Sequence, residues 1–390
     1  MKGRWKIVAL ASLLSGLMVP AGYAGKQEGA DRDEVQFAVE KGLFFVEKTT
    51  IRWWKKKKCS SCHEGPMLLF SHNIAKRRGF PIDQETLDFW TEKWVLTDGL
   101  VHDRKSDGRK DAGGMLGAPL TMFYRDTDAD TQGKRAKMLG RLMQIAGKDW
   151  QHEDGSWDIA KVGLDYTPWI ALALESYQES EMPLEEAVRD EVTRRRAKTE
   201  KWIETTDRPM PEKTEDLAAW LVYENHRGNT VREETLIAEL LDRRRGDGMW
   251  GIARDSEFEH QLVTAAVLFS LTSMGKTTED PLVAEIQRIL LDLQQEDGRW
   301  KEGGRIFDDG AEVDNSVYNM WTTAMACAAL AQTIELPPGT GPLFEPDPEL
   351  AREIDAVGRD AAKGYVGTTA ATTKPNKIME KMEQGLASRE

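Results

Sequence analysis

The sequence predicts an all-α fold, an (α/α)6 barrel, or toroid, of six helix hairpins. Three observations carry this. A turn with Asp-Gly-x-Trp occurs three times, in "QHEDGSW" (Gln151 to Trp157), "RRGDGMW" (Arg244 to Trp250) and "QQEDGRW" (Gln294 to Trp300). Each copy lies between two runs whose apolar residues recur every three or four positions, the helical period. Weaker pairs of runs extend the series to six at a spacing of roughly fifty residues.

In chain order the pairs begin near 35, 83, 134, 190, 232 and 282. The first joins "EVQFAVEKGLFFVEK" to "GPMLLFSHNIAKRRG". The second joins "DQETLDFWTEKWVL" to "GGMLGAPLTMFY". The third places "KRAKMLGRLMQIAG" before its turn and "YTPWIALALESY" after it. The fourth has "EVTRRRAKTEKWIETT" and "EKTEDLAAWLVYENHRG". The fifth and sixth pair "EETLIAELLDRR" with "EFEHQLVTAAVLFSLTSMG", and "LVAEIQRILLDLQ" with "SVYNMWTTAMACAALAQ". First runs are amphipathic and predict outer helices, whereas second runs are apolar nearly all round and predict buried ones. An open solenoid is the competing arrangement; the count of six and the buried second helices predict closure.

Two flanking segments have other compositions. Residues 1–24 carry Lys2, Arg4 and Lys6, a 13-residue apolar core from Ile7 to Val19, and small residues Gly22 and Ala24 ahead of Gly25. That is the pattern of a cleavable export signal, too short to span a bilayer. It predicts a periplasmic or secreted protein that is not an integral membrane protein after cleavage. The barrel is expected over 25–336, and 337–390, which opens with "PPGTGPLFEPDPE", reads as a strap or flexible extension. The signal takes three cations with it, so the net charge of −13 becomes −16. A surface that acidic excludes nucleic acid and anionic membrane as partners.

The chain has three cysteines, and two of them stand in "CSSCH". Covalent attachment of haem c needs two thiols about one helical turn apart, to add to the two vinyl groups, followed by an imidazole for the iron. Cys59 and Cys62 meet that spacing as thioether donors, with His63 as the proximal ligand. A redox disulfide and a partial metal site remain open, although no thioredoxin-like βαβ pattern surrounds the motif. Met115 or His102, in the glycine-rich stretch "DGLVHDRKSDGRKDAGGMLG", is the candidate sixth ligand, and an open site is the alternative. Met67 stands too close to His63 to reach the opposite face, and His72 is expected to pack or face solvent. The run Lys55 to Lys58 either steers an acidic redox partner protein or is a solvated helix end.

The repeated Gln-x-x-x-Gly-x-Trp turns resemble the QW motifs of squalene-hopene cyclases and related terpenoid cyclases, over roughly Glu34 to Thr333. The resemblance implies the barrel, with the turns as structural ties. It also implies an acid motif, Asp-x-Asp-Asp, at the mouth of a buried helix. The nearest match is "EVDNS", in which Asp314 takes the donor's place while Glu312 and Asn315 replace two of the acids. The competing reading makes Asp314 and Ser316 helix caps. The related protein prenyltransferases hold zinc with Asp, Cys and His, but Cys327 in "TTAMACAAL" is expected to be a buried thiol. The chain is also similar to exported squalene-cyclase-like proteins in which such a turn carries a CxxCH. The leading expectation is therefore an exported haem protein for electron transfer or haem redox chemistry. A haem-free barrel that binds a lipid or isoprenoid, and a cyclase using Asp314, are the alternatives.

Overall fold

The computed structural model describes residues 29–57, 64–91, 151–157, 165–179, 186–301 and 316–346, with isolated positions 348 and 352. The described residues form helices and no strands, with two isolated bridges, Gln151 to Trp157 and Lys213 to Ala253. The helices are α1 (Arg32–Lys57), α2 (Glu64–Arg77), α3 (Gln84–Thr91), α4 (Thr167–Glu179) and α5 (Glu186–Thr205). They continue as α6 (Thr214–His226), α7 (Thr230–Asp242), α8 (Gln261–Ser273), α9 (Pro281–Leu293) and α10 (Ser316–Gln332). None is long and apolar enough to cross a membrane.

Local chemistry sets several of these boundaries. The Asn229 side chain accepts from the Arg232 amide to open α7, and Asp280 accepts from the Leu282 amide, with Pro281 at the first turn, to open α9. Asp83 caps α3 through the Thr86 amide at 2.8 Å. The two predicted classes of helix appear as expected. In α8 every residue from Leu262 to Thr272 is buried, whereas in α7 the buried residues are Leu236 and Leu240. Each fully buried Leu, Val or Phe stabilises the fold by about 1.5–3 kcal/mol over its exposed state. Such burial, and not helix propensity, therefore holds these short helices.

The three Asp-Gly-x-Trp turns share one construction. The glycine amide donates three residues back in each: Gly155 to His152, Gly248 to Arg245, Gly298 to Gln295. All three glycines have positive φ, at 112°, 84° and 90°. Trp157, Trp250 and Trp300 are wholly buried, and their backbone N–H groups donate to threonine hydroxyls on the following helix, Thr167, Thr264 and Thr323. The residue four before the glycine donates to the glycine carbonyl and reaches the outer helix of the next unit. Gln151 Nε2 reaches the Arg195 carbonyl on α5, and Arg244 pairs with Glu285 on α9. Gln294 Nε2 reaches the Ala38 carbonyl at 2.8 Å, on α1.

That last contact joins the end of the chain to its beginning. α10 packs on both α1 and α2. Arg288 of α9 pairs with Glu34 of α1 at 2.8 Å, and the Ala30 amide donates to Gln287. The segment after α10 then crosses α1. Glu40 accepts from the amides of Leu343 and Phe344 at 2.7 and 2.8 Å, and Phe344 packs on Phe37 and Phe44. Residues 337–346 therefore act as a strap. α1 itself has 26 residues, twice the length of α7 or α9, because no Gly-x-Trp turn interrupts it.

Candidate functional site

The buried helices start at a common end. At α4 and α6, the Asp165 amide donates to Asp216 Oδ1 at 3.0 Å, and Trp220 Nε1 donates to Asp165 Oδ2 at 2.8 Å. At their other ends Arg227 pairs with Glu175 at 2.5 Å, so the two helices run parallel. The Thr214 amide donates to the Ile252 carbonyl, and the Trp250 amide to Thr264, which ties the start of α6 to the start of α8. The C-terminal ends of α2, α8 and α10 also meet. Arg78 and Ser273 both bond to Gln332, and the Leu336 amide donates to the Arg78 carbonyl. Their first residues, Glu64, Gln261 and Ser316, therefore lie at the same end as Thr167 and Thr214.

Among the described residues, the chemistry at this end belongs to Asp165, Tyr166, Thr214, Glu215 and Asp216. Asp165 is committed, because Thr167 N–H and Trp220 Nε1 occupy its two oxygens. Burial pushes the Asp216 carboxyl up to about 8, with the charge of Glu215 second; the bond from Asp165 N–H works against the shift. Burial pushes Glu215 up to about 7, partly offset by Lys213. Both side chains retain some accessible surface, so they line the structure's edge and are not sealed inside it. Burial, followed by the charges of Glu215 and Asp216, raises the Tyr166 phenol. Tyr166 Oη and Thr214 Oγ1 are 1% and 0% exposed by residue and have no hydrogen-bond partner among the described residues. Near neutral pH this pair of carboxyls can both give and take protons.

Cys59, Cys62 and His63 lie outside the described residues, as do Met115, His102 and Asp314. The described neighbours are the end of α1 at Lys57 and the starts of α2 and α10. His72 packs: its Nδ1 is 2.9 Å from the Leu68 carbonyl, and burial holds the imidazole down at about 4. Met67 is buried in the core. Cys327 is the expected buried thiol, with Sγ 3.7 Å from the Val39 carbonyl and its pKa raised by burial. His260, at the start of α8, is buried and held at about 4, while His226 lies 3.3 Å from Glu175. Among the described residues no group of three or more His, Cys, Asp or Glu is placed to hold a metal ion.

The opposite end of α6 is built from paired charges. Glu224 is held by Arg208 at 2.8 Å and by Asn229, and Arg208 also stacks on Trp220 at 4.3 Å. These residues, with Tyr223, Arg227 and Arg232, line a cleft of about 500 Å³. The sequence reading missed both ends. Glu215 and Asp216 stand in the first turn of a helix, where acids are common for dipole reasons alone. Their signal was weak: two acids at the start of a run that is otherwise buried. No protein-family model matches the chain, and a search of curated proteins finds no match.

Proposed function

We propose that the protein is exported and carries one covalent haem c. The haem would sit where the first hairpin enters its buried helix and serve electron transfer or redox chemistry. The observation that carries this is the "CSSCH" of residues 59–63, placed between α1 and the start of α2. The donor set fits the group: two thiols at one helical turn and an adjacent imidazole. Cys59 and Cys62 would form the thioethers and His63 would bind the iron, with Met115 or His102 as the candidate further ligand or that position left open. Bound haem would supply one-electron transfer, tuned by its axial ligands.

The six hairpins would close as an (α/α)6 barrel. The reach of Gln294 to α1, and the packing of α10 on α1 and α2, support closure over an open solenoid. Closure would bring the start of α2, which follows the proposed haem segment, and the acidic residues of α6 to one end of a single body.

Expression with the haem-ligation machinery of an exporting cell tests the reading. The purified protein should show a haem spectrum, and haem staining should survive a denaturing gel. Cys59→Ala with Cys62→Ala should abolish the stain. Protein that remains colourless with the machinery present would overturn the proposal.

A further inference from the structure

The cleft at the C-terminal end of α6 gathers charges that the fold itself leaves unanswered. Its volume of about 500 Å³ lies within the roughly 300–1,000 Å³ of small-molecule sites. One wall is the end of α5, with Glu204 in its last turn and Asp207 just beyond it. Neither carboxylate has a hydrogen bond or ion pair among the described residues, whereas Glu200, one turn earlier, is paired with Arg196 at 2.7 Å. Another wall is the corner from α6 to α7, with Arg227 and, in the first turn of α7, Arg232. The Arg232 guanidinium donates to the carbonyls of Arg208 and Pro209, at 3.2 and 3.4 Å, and pairs with no acid among the described residues.

Both sets of charge stand at the wrong end of a helix. A helix ends in partial negative charge and begins in partial positive charge, which favours cations at its end and acids at its start. Here the acids sit at the end of α5, whose last turn holds no basic residue, and an arginine sits at the start of α7. Helix stability therefore does not account for them. The cleft also holds an idle hydroxyl. Tyr223 is 3% exposed and fixed by a T-shaped contact with Trp220 at 5.5 Å, and its Oη makes no hydrogen bond among the described residues. Glu224, by contrast, is taken by Arg208 and Asn229.

We propose that this cleft binds a small zwitterion, an amino acid or short peptide, with its ammonium on Glu204 and Asp207 and its carboxylate on Arg232 and Arg227. Arg227 gives Nη1 to Glu175 and keeps the other donors of a guanidinium that is 42% exposed. Tyr223 Oη supplies one further hydrogen bond, and Ile203 an apolar contact for the body of the ligand. Charge-assisted bonds at both ends would satisfy acids and arginine together. A metal ion would answer the carboxylates and leave Arg232 unpaired, and a simple anion would do the reverse. The site does not depend on the haem reading.

Calorimetric titration of the full exported chain with alanine and with trialanine tests this, each compared with its acetylated form, which lacks the ammonium, and its amide, which lacks the carboxylate. Alanine should bind if the ligand is a free amino acid, and trialanine if it is a peptide. Blocking either end should weaken binding by about tenfold, on the scale of one hydrogen bond to a charged group. Glu204→Gln with Asp207→Asn, both at exposed positions, should remove the penalty for acetylation and keep that for amidation. Arg232→Gln should do the reverse, with an unchanged melting curve as the sign of an intact fold; if it unfolds, the acidic pair decides alone. The Cys59→Ala, Cys62→Ala protein should bind as the parent does, so failure of the haem reading leaves this one standing. Binding of neither zwitterion, binding indifferent to acetylation or to amidation, or parent-like binding by the Glu204→Gln, Asp207→Asn variant would each overturn it.

Discussion

A methyl group added at Gly298 would stand 2.4 Å from the Lys41 carbonyl, on a backbone at φ 90°. Gly275 has nearly the same φ, 82°, with open space around it. Gly275→Ala therefore isolates the cost of left-handed backbone, about 1 kcal/mol. Gly298→Ala adds a collision between backbones, for a total of about 3 kcal/mol or more. Chemical denaturation of the two variants should show that gap; equal losses would mean that the turn does not press on α1. This role was legible, because Gly and Trp recur at fixed spacing. Glu215 and Asp216 were not, since their burial depends on helices distant in sequence. Their titration gives a second check. Carboxyls raised to about 7 and about 8 lie above the unfolded value near 4, so the fold holds more protons than the unfolded chain. Their contribution is full in acid and is lost as pH rises from about 4 through about 8. His72 and His260, held at about 4, act in the opposite sense, losing stability as pH falls from 6.5. Glu215→Gln with Asp216→Asn should therefore raise Tm at pH 8.5 and change it little at pH 4.5. An equal shift at both values would contradict the assignment.

At the scale of elements, helical periodicity predicted the starts of α1, α3, α5, α7 and α9 to within a few residues. It could not predict what the strap touches. A segment rich in Pro and Gly reads as linker, and its docking depends on Glu40, Phe37 and Phe44, about three hundred residues earlier. Phe344→Ala removes two ring contacts, each contributing about 0.5–1.5 kcal/mol beyond area burial. Hydrogen exchange should then quicken in the first half of α1 and remain unchanged in α7. Unchanged exchange in α1 would show that the strap lies on α1 without stabilising it.

Over the whole molecule, each Gly-x-Trp turn rests on the next unit's outer helix, and the last rests on α1. The same logic explains why the first hairpin differs. Between α1 and α2 the chain has six residues, 58–63, where three other hairpins have a structural tryptophan turn, and those residues include both thiols and the imidazole of "CSSCH". On the proposed reading, the haem would be carried at a turn position of the repeat, with no separate cytochrome domain. Sequence spacing alone exposed "CSSCH", whereas the buried acidic residues at the starts of α4 and α6 emerged only from the packing. The central claim is covalent haem at that turn, and intact-mass measurement of the exported protein under denaturing conditions tests it most directly. The account predicts the mature chain plus one haem, with the addition lost in Cys59→Ala, Cys62→Ala. A mature chain at its bare mass, or two hydrogens lighter through a Cys59–Cys62 disulfide, would contradict it.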